Sequence, residues 1–235
     1  METEQTEQQL KKRLLKVKKN IAISAEKVNR DPASICLVAV SKNHKVDKIK
    51  YFHKQGIEIF VENRVQELRE KYKKTTEFNL KWHFVGHLQR NKVKYLLRMK
   101  NCLMIESVDS LRLAREINKR AAKNDRTMPV LIEVNVSGQE SKFGLNPTNT
   151  LEFFQKAASF DNLDIRGLMT LAPYSEDPEE SRPFFRKLVE IKQNLDREGY
   201  SIEELSMGMS NDYTIAIEEG ATIVRIGTAL FGSRY

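Results

Sequence analysis

ICLVAVSKNHKVDKIKYFHKQG, residues 35–56, runs from an apolar strand through a short polar link into a helical pattern that ends at a glycine. Ile35, Leu37, Val38, Ala39 and Val40 make the near-continuous run of a strand covered on both faces, the habit of parallel sheets. Residues 46–55 carry the helix, and Gly56 falls where it should stop. Lys42 stands where the apolar run ends, with only Ser41 between. An unpaired ammonium buried there would cost several kcal/mol, so the default reading is that it points to water. Only the rest of the chain can give it a role.

The same unit recurs. Strands are expected at 35–41, 57–61, 82–86, 103–107, 130–136, 165–171, 204–208 and 222–227, and helices at 46–55, 63–74, 88–99, 109–124, 147–159, 179–199 and 211–219. Asp109, Pro147 and the Asn211-Asp212 pair are good helix starts, and Gly199 and Gly220 are good stops. Eight such units predict an α/β fold, a closed (β/α)8 barrel. A doubly wound open sheet is the alternative, but no GxGxxG follows the first strand. Leu10, Leu14, Val17, Ile21 and Val28 recur at helical spacing, so an extra helix over about 4–29 should pack on the outside or bottom of the barrel. No linker, low-complexity tract or strong repeat divides the chain, which reads as one domain over 1–235, with 1–30 as the added helix.

The 235 residues are 31% charged and 40% hydrophobic, values that point to an ordinary soluble globular protein. There is no apolar window long enough for a bilayer and no signal-peptide core near the N-terminus, so a cytoplasmic protein without a membrane partner is expected. The net charge of +8 raises nucleic acid as a partner. The lysines of KKRLLKVKKN, however, lie on the wet face of an amphipathic helix, and no specific nucleic-acid site is expected. Cys36 and Cys102 read as reduced packing residues, and no CxxC or metal-ligand histidine spacing is present.

In a barrel the chemistry gathers at the carboxyl ends of the strands. Those ends supply Lys42, Glu62, Asn63, Gly86, His87, Glu106, Asn135, Thr170, Ser206 and Arg225, with His83 inside the third strand. SMGMSND places Ser210 at one helix start, and RIGTALFG places Gly227 and Thr228 at another. Helix-start amides and hydroxyls after the last two strands suit a phosphate. Ordinary capping by Ser210 and Thr228 is the bland alternative. A lysine facing a phosphate site suits a Schiff base with a phosphorylated carbonyl compound, either a sugar phosphate or pyridoxal phosphate. Spacing leaves both open.

SKNHKVDKI, FVENRVQELREKY, WHFVGHLQRNKVKYLL, IESVDSL, VLIEVNVSGQESKFGL, IRGLMTLAP and LSMGMSNDYTIAIEEGATIVRIGTALFGSR resemble, in order, the pyridoxal phosphate homeostasis proteins, which are similar to the N-terminal (fold type III) barrel of alanine racemase. The resemblance implies that Lys42 holds pyridoxal 5'-phosphate as a Schiff base. It also implies that Ser210, Gly227 and Thr228 hold the phosphate, that Arg225 meets the pyridine nitrogen, and that Asn63, His83, Ser206 and Met207 lie close to the cofactor. Val61 stands where the family usually has glycine. A guanidinium stays protonated, so Arg225 favours an unprotonated ring, a poorer electron sink. Racemisation needs an acid or base on each face of the substrate carbon, and Lys42 serves one. The chain ends at Tyr235 and is expected to lack the second domain that completes the racemase site; neither Tyr174 nor Tyr213 matches the racemase tyrosine. The expectation is therefore a monomeric carrier in vitamin B6 homeostasis, passing its cofactor by transimination to transient apo-enzyme partners, rather than an efficient enzyme. A low-activity amino-acid racemase is the main alternative, and a Schiff-base aldolase on a sugar phosphate the second.

Other polar residues read more plainly. His44, His53 and His87 are expected at the surface, Trp82 in packing, and Glu133 with Arg166 as a pair within the barrel. Glu62 and Glu106 receive no role.

Overall fold

The computed structural model describes residues 2–139 and 142–233. Eight strands pair in chain order, all parallel: β1 (Cys36–Val40), β2 (Ile59–Glu62), β3 (Lys81–Phe84), β4 (Cys102–Val108), β5 (Met128–Glu133), β6 (Leu163–Met169), β7 (Glu204–Ser206) and β8 (Ile223–Ile226). β1 also pairs with β8, Val38 opposite Arg225 and Ala39 opposite Ile226, so the sheet closes and the open alternative is excluded. Each strand leads to a helix: α2 (Val46–Lys54), α3 (Val65–Lys74), α4 (Val93–Leu97), α5 (Leu111–Ala122), α6 (Thr150–Ala157), α7 (Arg182–Arg197), α8 (Tyr213–Glu218) and α9 (Thr228–Phe231). α1 (Glu2–Glu26) precedes them all.

Alternation along each strand produces two apolar layers. Val38, Val61, Met104, Leu131, Met169 and Ile223 fill the barrel interior. Ala39, Phe60, Trp82, Ile105, Ile132, Leu168 and Val224 face outward into the shell beneath the helices. Burial on both faces is why the strands read as continuous apolar runs. Val61, where glycine is usual, is fully buried in the inner layer. β6 and β7 approach closely at Gly167, where an added Cβ would overlap the backbone carbonyl of Glu204. Trp82 packs as expected, beside Phe60.

α1 buries Leu10, Leu14, Val17 and Ile21 on the outside of the barrel, against α8 and α9. Asn20 donates to the Tyr213 hydroxyl (3.0 Å), and Lys27 pairs with Glu218 (3.0 Å). The helix expected over 88–99 is shorter, a 3-10 turn at Arg90–Lys92 leading into α4. Neither Gln89 nor Lys92 supplies a side-chain cap, so nothing anchors an α-helical start at Leu88. Among the described residues no helix is long and apolar enough to cross a membrane, and no cluster of acidic, histidine or cysteine side chains could hold a metal. Burial pushes the thiols of Cys36 and Cys102 up to about 12, as expected of packing cysteines.

Candidate functional site

Inward-facing positions at the carboxyl ends of the strands carry a polar layer above the apolar plug. Arg225, two residues beyond Ile223 on β8, is 2% exposed. Its Nη1 donates to the Ser206 hydroxyl of β7 and its Nη2 to the Thr170 carbonyl at 2.7 Å. Ser206 donates its own hydroxyl hydrogen bond to Glu106 Oε2 of β4 (2.6 Å), which lies 3.8 Å from the guanidinium. Glu106 Oε1 meets His83 Nδ1 of β3 at 2.7 Å, and because an ionised carboxylate only accepts, Nδ1 donates. Burial pushes the Glu106 carboxyl up, but the hydrogen bond and charge of His83, then Arg225 and Ser206, outweigh it and hold it below the usual range. Four strands thus fix one guanidinium.

Above this layer a cleft of about 220 Å³ is lined by Lys42, Arg225, Ser210, Gly227 and Thr228, with the exposed Tyr174 at its rim. Lys42 continues the inward series Val38, Val40 and arrives on a turn, closed by the His44 amide donating to the Ser41 carbonyl (3.0 Å). In the same cleft the Ser210 hydroxyl oxygen accepts from the amides of Gly227 (3.2 Å) and Ala229 (3.1 Å). Ser210 therefore does not cap its own helix: Asp212 closes that loop, accepting from the Met209 amide (2.6 Å). Gly208, at φ 88°, allows the turn, since a Cβ there would press on Ala216 and Tyr213.

Larger hollows lie elsewhere. One of about 720 Å³ opens at the amino ends of β1 and β2 beneath α1, and one of about 730 Å³ lies between α2 and α3. Neither gathers an inward strand-end lysine with convergent amides, so the smaller cleft is the candidate site.

Of the nine residues assigned from sequence, five line this cleft. His83 and Ser206 sit below it, reaching it through Glu106 and Arg225. Asn63 is half-buried at the end of β2, against Gly86. Met207 does not line the cleft: its side chain is fully buried in the outer apolar shell, because the alternation that turns Ser206 inward turns its neighbour out. The Glu133–Arg166 pair is not formed either. Arg166 is exposed and pairs with Asp164 (2.8 Å), whereas Glu133 faces inward with Oε2 buried and without a hydrogen-bond partner. Sequence reasoning places Glu106, the hub of the layer, at a strand end but gives it no role; its inward direction follows from its place two residues beyond inward-facing Met104.

Burial, then Asp109, push the Glu133 carboxyl up to about 7, with Arg225 opposing. The folded protein thus holds this proton more tightly than the unfolded chain, so stability falls as pH rises from about 4.5 through about 7. Glu133→Gln, which mimics the neutral acid, is expected to raise stability by up to about 3 kcal/mol more at pH 8 than at pH 5. Thermal melts at both pH values check this; an equal increment at each would refute it.

The fold and cleft define a class: parallel barrels that present a strand-end lysine across from an anion-sized cradle. The comparisons narrow it. Residues 13–235 match the family described as alanine racemase, N-terminal domain. A pyridoxal phosphate homeostasis protein of Aquifex aeolicus is 47% identical over 223 residues, 94% of this chain and 97% of the relative. A protein of unknown function from Bifidobacterium adolescentis superimposes with a TM-score of 0.87 at 32% identity, over 96% of each chain. PipY of Synechococcus elongatus, solved with PLP bound, gives a TM-score of 0.77 at 33% identity, over 90% of this chain and all of its own. The chain belongs to the pyridoxal phosphate homeostasis protein family, a branch of the alanine racemase N-terminal barrels.

Proposed function

We propose that this chain binds pyridoxal 5'-phosphate covalently through Lys42 and acts as a reversible carrier in vitamin B6 homeostasis, without efficient amino-acid chemistry. The observation that carries the reading is the convergence, in one cleft, of Lys42 with the Ser210, Gly227 and Thr228 cradle and the buried Arg225. The names of the relatives and the PLP-bound PipY support it.

The donor set fits the cofactor. Bound pyridoxal phosphate supplies an aldehyde that condenses reversibly with a primary amine. Lys42 is that amine. The Ser210 hydroxyl, whose oxygen the Gly227 and Ala229 amides fix and whose proton is left to donate, would hold the phosphate together with the Thr228 hydroxyl. Arg225, whose guanidinium Glu106 and Ser206 keep in place, would meet the ring nitrogen and, staying protonated itself, would leave the ring unprotonated. Another amine that displaced Lys42 would release the cofactor, which is the proposed route to apo-enzyme partners. We infer further that the carrier works as a monomer in the cytoplasm.

Incubation with pyridoxal phosphate, borohydride reduction and peptide mapping test the reading. The label is expected on the Lys42 peptide alone, and Lys42→Ala is expected to abolish it. Label on another lysine, or none, refutes the assignment. Rapid exchange of the alanine α-proton in deuterated water would favour the racemase instead.

A further inference from the structure

We propose that Lys71 is a positioning residue for Lys42: with Glu67 it grips the turn on both sides of the attachment lysine and holds that amine toward the arriving aldehyde. The inference rests on the carrier reading above. Lys71 lies in the run REKYKK of α3, yet its side chain is only 8% exposed and its three protons are all committed. Nζ donates to the Ser41 carbonyl, to Glu62 Oε1 and to Glu67 Oε1, each at 2.7 Å. Ser41 in turn donates its hydroxyl to Glu62 Oε1 (2.6 Å), and the Asn43 amide donates to Glu67 Oε1 (2.6 Å). The residues before and after Lys42 are thereby tied to one ammonium.

The backbone needs this grip. Asn43 sits at φ 62°, a left-handed conformation that a non-glycine residue adopts at some cost. The network is also poorly arranged as a source of stability, because Glu62 is wholly buried and its Oε2 has no hydrogen-bond partner. Burial accordingly pushes the Glu62 carboxyl up despite Lys71 and Ser41. Buried ion pairs of this kind can often be replaced by apolar side chains at no loss, so their value lies in the geometry they impose. The geometry imposed here is that of the turn at Lys42, whose neutral amine adds to the aldehyde carbon. The two amine protons leave with the carbonyl oxygen as water, and a carbon–nitrogen double bond remains.

Three variants test the proposal: Lys71→Met, Glu67→Gln, and the double replacement Glu62→Leu with Lys71→Met. Hydrogen exchange on ligand-free protein reads the Asn43 amide, thermal melts read stability, and borohydride trapping at timed intervals reads how fast Lys42 captures pyridoxal phosphate. All three variants are expected to exchange Asn43 at least tenfold faster and to label Lys42 at least tenfold more slowly. The double variant is expected to recover the parental melting temperature without recovering the capture rate, which separates positioning from a merely structural role. Capture within twofold of the parent in the double variant, or capture that recovers together with stability, overturns the proposal. If Lys71→Met does not accumulate as folded protein, the double variant and Glu67→Gln decide. A parent that is never labelled at Lys42 overturns the carrier reading itself, and the result is distinguishable because the exchange measurement needs no ligand.

Discussion

Arg225→Leu is expected to lower the melting temperature by about 6–20 °C at neutral pH. The guanidinium holds Ser206 and the Thr170 carbonyl and lies 3.8 Å from Glu106, all of them buried. Leucine leaves Thr170 without its donor and Glu106 without its cation, and stripping one partner from a buried charge costs about 3–5 kcal/mol. For a protein of this length each kcal/mol is about 2–4 °C. The pH dependence separates this cause from simple loss of packing. In the parent, Glu106 titrates below its unfolded value, so its contribution is present above about pH 4.5 and is lost as pH falls further. In the variant one of the charges that hold the carboxyl down is gone, so it titrates higher than in the parent and the deficit shrinks on acidification. Melts at pH 7 and pH 5 check the sign; a deficit that stays constant or grows on acidification would mean Glu106 is not what suffers.

Gly167→Ala is expected to cost more than about 4 kcal/mol, enough to lower the melting temperature by at least about 8–16 °C or to prevent accumulation of folded protein. The added Cβ meets the Glu204 backbone carbonyl, and neither partner is a flexible side chain that can swing aside. Gly167 pairs with Glu204 in the β6–β7 register, so relief requires prying β7 away from β6. Ser206 lies two residues further along β7, opposite Met169, and would move with it. A folded Gly167→Ala protein should therefore also take up pyridoxal phosphate more weakly. A melting temperature within about 2 °C of the parent would show that β7 can yield.

Much of the barrel is legible along the chain because its determinants are local: apolar runs covered on two faces, helix starts within a residue or so of the expected Asp109 and Pro147, where Ser110 and Asn146 supply the caps, and stops at Gly56, Gly199 and Gly220. The cleft is half legible. Lys42, Ser210, Gly227 and Thr228 sit at strand and helix ends, and Arg225 follows the inward alternation of a single strand. The layer that holds Arg225 is not legible, since which residue of β3 or β4 faces it depends on register, and register slips between Trp82 and His83 and again between Ile105 and Val108. The side chain of Met207 points outward by one step of the same alternation. Lys71 is hidden for another reason. A lysine among lysines on a helix looks like a solvated face, and only its tertiary partners reveal it as buried.

The seam between β1 and β8 joins residues nearly two hundred positions apart, with Val38 opposite Arg225 and Gly227 against Val40. The lysine is translated well before the anion cradle, so a nascent chain cannot assemble the cup until β8 has left the ribosome and zipped onto β1. Vitamin capture thereby reports closure of this seam: fragments that lack β8 and proteins unzipped between β1 and β8 are expected to leave the reactive aldehyde free.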